Sequence, residues 1–440
     1  MKTDLKSLMH EDGFVCPSCG KRHFGGLSDC LIERGAMEKL PLLLEKYRAK
    51  KPFVLCDRHT YEAAGERVAK ILSSAGIAYA LHVVEREKPA PDERIVGEAV
   101  MFCPPDADCV IAVGSGVLND TGKILSRAKG IPDLIVATAP SMDGFASGTS
   151  SMERGGLKIS LPSKCPDAVI ADPAVLAAAP VHLIRSGVGD MLAKFVSIAE
   201  WRIAALLVGD PFCETVAGIV GNALDTCVKA APAAVRGDPD AAASVMEGLV
   251  VSGLAMNYAG ISRPASGMEH YISHILDMRA LAFGTPADLH GIQCGIATLV
   301  TVHAYEQLAS VTPNREKALA AVRAFDPDAW NAHLREQLGA GAETMIAGER
   351  REGKYDPEKH AARLEKILAH WDEILAIIGT LPKSAELEAF MRSIGHPTSF
   401  SEIGVSDGDA REAFLMAKDI RDKYVLGRLL WDRGLLGEIG

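Results

Sequence analysis

The chain has 440 residues, a formal net charge of −10 and 48% hydrophobic residues. The acidic balance argues against a nucleic-acid-binding protein, because such proteins usually carry a basic patch. No uncharged run approaches the ~20 apolar residues that a membrane span needs. The ten cysteines are widely scattered, which is typical of reduced thiols in a cytoplasmic protein. The length favours two domains over a single core.

The first motif along the chain is Cys16-Pro17-Ser18-Cys19-Gly20, with His23 and Cys30 nearby. It resembles half of a zinc knuckle. A closed structural zinc site needs four ligands, however, and the spacing of these cysteines and the histidine is irregular. The sequence therefore favours a plain turn beside an early strand over a zinc site.

Short β-rich runs alternate with helical patterns from about residue 50 to about residue 175. We predict five strands, at residues 52–57, 77–84, 109–113, 134–138 and 168–173, the first of them buried. Strands that alternate with helices imply βαβ units and a mostly parallel sheet. Ligands of such sheets bind outside the carboxyl ends of the strands.

Helical periodicity dominates the chain after residue 173, for example over residues 361–378 and 410–436. We therefore predict two domains. Residues 1–173 would form a dinucleotide-binding α/β domain, and residues 174–440 would form a helical domain that binds metal and substrate.

A glycine turn, Gly114-Ser115-Gly116-Val117-Leu118-Asn119-Asp120, follows the third strand. Its glycines and the helix N-terminus that follows suit a pyrophosphate. Asn119 and Asp120 replace the third glycine of the usual fingerprint, and many turns contain two glycines, so the motif alone is not specific. Asp57 ends the first strong strand, where it can accept hydrogen bonds from a ribose and would repel a 2′-phosphate. This favours NAD over NADP.

Two further segments carry acids beside small residues. Residues 138–147, Thr-Ala-Pro-Ser-Met-Asp-Gly-Phe-Ala-Ser, suit contacts with sugar hydroxyls and phosphate oxygens, or form a loop held by its own Asp and Ser side chains. Asp190 follows Gly187 and Gly189 near a predicted helix. It is either a metal ligand or an ordinary acid in a first helical turn.

Three histidines form the most informative pattern. His270 and His274 share a helix face, and His290 follows after a predicted turn. Two imidazoles and one carboxylate suit a catalytic metal site with an open coordination position. The alternative is a pair of partly buried, hydrogen-bonded histidines.

Five motifs, in chain order, together carry a resemblance. They are Gly-Ser-Gly-x-x-Asn-Asp, Thr-Ala-Pro-Ser-Met-Asp-Gly, Gly-x-Gly-Asp-Met-x-x-Lys, Ser-Gly-x-Glu-His-x-x-x-His and Leu-His-Gly. The chain resembles the bacterial sn-glycerol-1-phosphate dehydrogenases, of the iron-containing alcohol dehydrogenase, glycerol dehydrogenase and dehydroquinate synthase superfamily. The resemblance extends over nearly the whole chain, including the Cys-x-x-Cys-Gly-x-x-His segment at residues 16–23 and a helix expected at residues 420–424. It implies a Rossmann-like domain, a C-terminal all-α domain like that of dehydroquinate synthase, and an active site in the cleft between them.

The resemblance also implies roles for individual residues. Asp190, His270 and His290 would be the ligands of one divalent metal, Zn²⁺ or Ni²⁺. Asp143, Asp190 and His274 would contact the substrate, with Asp190 and His274 as catalytic residues. For the proton that the reduction needs, our own candidate is His274, or a metal-bound water relayed through it. NAD(H), with NADP(H) as the alternative, would be bound by Asp57, Gly114, Gly116, Val117, Leu118, Asn119, Asp120, Thr138, Ala139, Pro140, Ser141 and Ser147.

The expected reaction is the reversible reduction of dihydroxyacetone phosphate, a phosphorylated triose, to sn-glycerol-1-phosphate by NADH. The expected enzyme is a cytoplasmic homodimer. One alternative is a dehydrogenase of unphosphorylated polyols. A cationic pocket for the substrate phosphate, formed by Lys158, Lys194 or Arg263, would distinguish the expected enzyme from this alternative. Others are a lyase or cyclase like dehydroquinate synthase, and a non-enzymatic binding protein built on the Cys16–Cys19 segment.

Overall fold

The structure is a computed structural model, and it describes residues 5–9, 13–155 and 157–439. The chain divides into two compact units. The first comprises residues 1–191 and 215–262, and the second comprises residues 192–214 and 263–440. The boundary predicted at residue 173 marks where the secondary structure changes, and it stays a prediction.

A six-stranded parallel sheet forms the centre of the first unit. Its strands, in spatial order, are β3 (Asp29–Ile32), β10 (Ala168–Ala171), β7 (Asp133–Ala137), β6 (Cys109–Gly114), β4 (Pro52–Asp57) and β5 (Ala80–Val84). Two antiparallel pairs complete the strands of the described residues, β1 (Phe14–Val15) with β2 (Arg22–His23) and β8 (Thr149–Arg154) with β9 (Leu157–Pro162).

Both faces of the sheet are covered, which explains its continuous apolar strands. Along β4, Phe53 and Leu55 belong to one hydrophobic cluster. The alternate residues Val54 and Cys56 belong to another. Successive strand residues point to opposite faces, so the two clusters lie on the two sides. The strand order reverses between β4 and β6, and such a switch point is where open α/β sheets bind ligands.

Among the described residues, ten α-helices begin in the first unit or, for α9, at the residue directly before it. They are α1 (Leu5–Leu8), α2 (Leu40–Lys46), α3 (Arg58–Thr60), α4 (Glu66–Ser74), α5 (Glu93–Phe102), α6 (Gly116–Lys129), α7 (Pro173–Ala178), α8 (Val181–Val208), α9 (Glu214–Ala234) and α10 (Pro239–Ala259). The chain passes from the first unit to the second within α8, after Met191.

The second unit is helical. After α8 it contains α11 (Met268–Phe283), α12 (His290–Ala309), α13 (Arg315–Ala324), α14 (Pro327–Leu338), α15 (Gly341–Glu352), α16 (Pro357–Ala369), α17 (Trp371–Ile378), α18 (Ser384–Ser393), α19 (Asp407–Met416) and α20 (Leu426–Asp432). No described helix is both long and apolar enough to cross a membrane.

The predicted fold class, a mostly parallel α/β sheet domain followed by a helical region, is confirmed. All five predicted strands are present, with β5 starting at residue 80 rather than 77. The prediction of a helix at residues 420–424 is wrong, because this segment lies in irregular structure before α20. Its groups bond to other parts of the second unit instead: the Lys423 Nζ donates to the Ser266 carbonyl at 2.8 Å, and the Tyr424 hydroxyl donates to Asp432 at 2.8 Å.

Candidate functional site

The predicted glycine turn lies where β6 ends and α6 begins, at the switch point of the sheet. Ser115 precedes the helix with φ −125° and ψ −139°, and its side chain makes no capping hydrogen bond, so its hydroxyl leaves the first amides of α6 uncapped. At Gly114 a Cβ would lie 2.7 Å from the Leu118 Cβ, so only glycine allows the helix to start this close to the strand. The turn has the features of an anion-binding helix start.

Asn119 and Asp120, which replace the third fingerprint glycine, are buried and hydrogen-bonded to neighbouring segments. The Asn119 Nδ2 donates to Asp120 at 3.0 Å, and Asp120 accepts the Ser151 amide at 2.7 Å. Lys123, fully buried one turn later, donates to the carbonyl oxygens of Gly144 and Thr149 at 2.9 and 2.7 Å. These side chains therefore fix residues 144–151 against α6.

The loop after β7 lies beside the glycine turn, as expected from the order of the strands. The Thr138 amide donates to the Gly114 carbonyl at 3.0 Å, and the Ser141 hydroxyl donates to the Ser115 hydroxyl at 3.1 Å. Ala139 is buried and Ser147 accepts from Lys123 at 3.3 Å. Residues predicted to contact the dinucleotide thus come together from two strand ends.

Asp57 ends β4 and caps α3. Its Oδ1 accepts the Thr60 amide at 2.8 Å, while the Thr60 hydroxyl accepts the Asp57 amide at 2.9 Å. This capping box fixes the carboxylate at the carboxyl edge of the strand next to β6.

Asp143 and Asp190, the predicted acids, are in direct contact. The Asp143 amide donates to the Asp190 Oδ2 at 2.8 Å, and the Ser252 hydroxyl donates to the Asp143 Oδ2 at 2.9 Å. Asp190 is fully buried. A buried carboxylate requires strong hydrogen bonds or a cation to offset its lost hydration, which fits a metal-binding role.

Gly187 brings the first turns of α8 close to the loop after β7. A Cβ at this position would overlap the Pro140 carbonyl oxygen and lie 2.8 Å from the carbonyl carbon. We expect Gly187→Ala to push the helix away from the loop, to destabilise the protein by about 3 kcal/mol and to raise the KM for the dinucleotide. Thermal unfolding and steady-state kinetics measure both effects.

Gly218→Ala in α9 is the matched control, since a Cβ there meets nothing within 4 Å. Removing this exposed helical glycine should stabilise the protein by about 0.5–1 kcal/mol. Equal thermal midpoints for the two variants would contradict the packing argument.

The three predicted histidines come together in the second unit, on α11 and at the start of α12. The ring centroids of His270 and His290 are 5.0 Å apart, and those of His274 and His290 are 5.5 Å apart. His270 is buried, whereas His274 and His290 are partly exposed. The helical pair and the trailing histidine therefore form one cluster.

Neighbouring side chains fix the orientation of two of these rings. Glu269 accepts the His270 Nδ1–H at 2.8 Å, and Ser273 bonds the His290 Nδ1 at 3.0 Å. Each ring then presents its Nε2 as the remaining nitrogen. Such outer hydrogen bonds are characteristic of metal-binding histidines.

A buried carboxylate pair supports the start of α11. Glu200 accepts the Met268 amide at 2.9 Å, and Glu269 accepts the Gly267 amide at 2.6 Å. Burial and the charge of Glu269 raise the pKa of Glu200 to about 8. The two carboxyl groups are therefore buried at the start of α11, where Glu269 directly precedes His270.

Cys294 and Asp277 are possible metal ligands that were not predicted as ligands from the sequence. The ligand atoms of His270, His290 and Cys294 lie within 4.8 Å of one another, and so do those of His274, Asp277 and His290. Burial acts to raise the pKa of Cys294, but nearby His270 and His290 outweigh it and lower the pKa. The spacing of four between His290 and Cys294, and of three between His274 and Asp277, could have indicated both.

These donors fit a divalent transition metal. Imidazole nitrogens combined with a carboxylate or thiolate suit zinc and nickel, and the separations allow them to share one ion. The glycine turn and the helix N-terminus that follows it, with Asp57 on the adjacent strand, equally fit a dinucleotide.

The basic residues considered for a substrate phosphate have structural partners. The Lys194 Nζ is fully buried and donates to the Ala265 carbonyl at 2.9 Å. Arg263 donates to the Tyr424 carbonyl at 2.8 Å and pairs with Asp210. Lys158 lies on β9 and is partly exposed. The phosphate-binding residues thus stay unassigned.

Known proteins resemble the chain over most of its length. A glycerol-1-phosphate dehydrogenase of Bacillus velezensis, named as using NAD(P)⁺, is 32% identical over 401 residues, covering 90% of this chain and 89% of the relative. The chain belongs to the glycerol-1-phosphate dehydrogenase family. The Bacillus licheniformis relative of the same name is 29% identical over 437 residues, or 98% and 96% of the two chains.

Two further comparisons concern the sheet domain and the fold. Residues 31–180 match the model of the iron-containing alcohol dehydrogenases. A probable glycerol dehydrogenase from Sinorhizobium meliloti 1021 has the same fold, with a TM-score of 0.59 at 19% identity over 94% of this chain and 99% of that one. The resemblance found in the five sequence motifs is confirmed.

Proposed function

We propose that the chain catalyses the reversible reduction of dihydroxyacetone phosphate to sn-glycerol-1-phosphate, with NAD(H) as hydride carrier and one divalent metal, Zn²⁺ or Ni²⁺. The observation that carries this proposal is the cluster of His270, His274 and His290 with its oriented rings, in a chain 32% identical to a relative of that name. We also propose a cytoplasmic homodimer, because this is a common assembly for metabolic enzymes of this size.

The proposed metal ligands are Asp190, His270 and His290. When bound, the metal would supply Lewis-acid stabilisation of negative charge on the substrate oxygen. Glu269 and Ser273 keep the His270 and His290 rings in the orientation that exposes Nε2. Cys294 and Asp277 are further donors within reach of the histidines, and their use would depend on the ion.

The remaining residues position the reactants and the proton. Asp143, held by the Ser252 hydroxyl, would accept hydrogen bonds from substrate hydroxyls. His274 lies one turn from His270 and is partly exposed, and we propose that it delivers the proton to the reduced oxygen. The amides at the start of α6 would bind the dinucleotide pyrophosphate.

An NADH oxidation assay tests the proposal. Dihydroxyacetone phosphate and dihydroxyacetone are compared with the untreated protein, after chelation, and after adding back Zn²⁺ or Ni²⁺. A strong preference for the phosphorylated ketone, lost on chelation and restored by metal, is expected. Preference for dihydroxyacetone would indicate a polyol dehydrogenase, and no turnover of either would favour a lyase or cyclase.

Asp57→Ser tests the nucleotide preference. Serine keeps an oxygen that can cap α3, but it removes the charge that would face a ribose 2′-phosphate. We expect kcat/KM with NADPH, relative to NADH, to rise about tenfold, corresponding to about 1.4 kcal/mol. Asp238→Ser is the control, since Asp238 caps α10 through the Ala241 amide at 2.8 Å. An equal rise in both variants would refute the role of Asp57.

A further inference from the structure

The turn between β1 and β2 contains two cysteines, Cys16 and Cys19. The Cys16 amide donates to the Lys21 carbonyl at 2.8 Å, and the Gly20 amide donates to the Cys16 carbonyl at 2.9 Å. Gly20 has a φ of +69°, a conformation that closes the turn and that side chains disfavour. The turn thereby brings Cys16 and Cys19 to the same place as His23 on β2, and their three ligand atoms lie within 4.8 Å of one another.

His23 is oriented as a ligand. Its Nδ1 lies 2.7 Å from the Tyr258 carbonyl oxygen, which can only accept, so Nδ1 carries the proton. Nε2 is then the basic nitrogen, and it lies 3.3 Å from the Cys19 Sγ. Around a tetrahedral zinc, a thiolate and an imidazole nitrogen are about 3.5 Å apart. A backbone carbonyl on the far nitrogen is the usual outer partner of a zinc-binding histidine.

The chain offers one further cysteine at this place. Ser18, within the turn, shares a 2.9 Å hydrogen bond with the Thr215 hydroxyl and accepts the Thr215 amide at 3.3 Å. Cys213 precedes Thr215 by two residues, so covalent geometry keeps the two Cα atoms within about 7 Å. Cys213 is 5% exposed.

Cys30, the fourth candidate suggested by the sequence, is not in this group. It lies on β3, paired with Val169 of β10. Burial and nearby acidic groups raise the pKa of its thiol well above the ordinary range, so it stays protonated.

We propose that Cys16, Cys19, His23 and Cys213 bind a structural zinc ion, separate from the metal of the histidine cluster on α11 and α12. Three thiolates and one imidazole form a closed set with no position left for substrate. Cys16 and His23 are 1% and 3% exposed, as expected for a site shielded from solvent. The ion would tie the N-terminal hairpin to the segment that enters α9.

Zinc analysis in a His290→Ala background tests the proposal, because that substitution is designed to empty the other metal site. After purification and desalting, the His290→Ala protein should keep about one zinc per chain. Adding Cys19→Ser or Cys213→Ser should lower the content by at least tenfold, whereas adding Cys30→Ala should leave it unchanged. A zinc content that is indifferent to Cys19→Ser and Cys213→Ser would overturn the proposal, as would a zinc-free His290→Ala protein.

Cobalt substitution keeps the proposal testable if a serine variant fails to fold. The folded His290→Ala protein, loaded with Co²⁺, should show the near-ultraviolet thiolate-to-cobalt absorption and the visible bands of a tetrahedral site. Absence of thiolate absorption from the cobalt-loaded protein would overturn the assignment. Both readouts are independent of turnover, so they stand apart from any failure of the proposed dehydrogenase activity.

Discussion

Replacing His290 with alanine is expected to remove the catalytic metal and the activity together. His290 is the residue shared by both groups of donors in the second unit, the one with His270 and Cys294 and the one with His274 and Asp277. Its loss therefore leaves neither group complete. Lewis-acid stabilisation is worth several kcal/mol, so kcat/KM should fall by about 10³-fold or more. Metal content after desalting and NADH oxidation with dihydroxyacetone phosphate measure the two effects.

His303→Ala provides the control for this variant. It is the same substitution on the same helix, but His303 is exposed and pairs with Glu306 at 3.7 Å. Such a surface ion pair contributes little, so metal content and kcat/KM should stay near those of the unaltered protein. Full activity in a His290→Ala protein that lacks this metal would refute the metal-dependent mechanism.

The sheet was predictable because its strands are apolar throughout. All six residues of β4 and of β6 are buried, and such runs stand out in a sequence. The edge strand β3 was missed because it is only four residues long and its partner β10 lies more than a hundred residues further along the chain. Its pairing depends on a contact that local patterns do not record.

The helical unit was predictable in type but not in its breaks. The helical periodicity over residues 361–378 is continuous in the sequence, yet the structure is interrupted at His370, between α16 and α17. The segment before α20 has helical periodicity, but tertiary hydrogen bonds hold it in another conformation. One of them runs from the Lys423 Nζ to the Ser266 carbonyl at 2.8 Å. Local propensity is a weak determinant where such contacts compete with it.

The site was predictable where its chemistry is local. The glycine turn, the capping acid Asp57 and the histidines on one helix face all follow from spacing within a few residues. Cys213 was not foreseeable as a proposed partner of Cys16, since nearly two hundred residues separate them and no local pattern records that Ser18 lies against Thr215. The residues left Asp190 as either a metal ligand or an ordinary helix acid, and the resemblance favoured the ligand, because a single acid near a helix start is common.

Asp190→Asn should separate the charge of this residue from its structural hydrogen bond. The asparagine Oδ1 can still accept the Asp143 amide, which Asp190 accepts at 2.8 Å, so the loop after β7 should keep its place. The amide lacks the negative charge of the carboxylate and is a much weaker metal ligand. We expect kcat/KM to fall by about 10³-fold, with a large loss of bound metal and little change in the KM for NADH.

Ser252→Ala is the matched comparison. It removes a hydrogen bond from Asp143, the residue in contact with Asp190, without changing any charge. The hydroxyl donates to Asp143 at 2.9 Å, and its loss should cost about 1 kcal/mol. Metal content should be unaffected, and any change should appear in the KM for the substrate. If Asp190→Asn instead keeps its metal and behaves like Ser252→Ala, Asp190 acts only by positioning Asp143, and the metal must be held by donors from the histidine cluster such as Asp277 or Cys294.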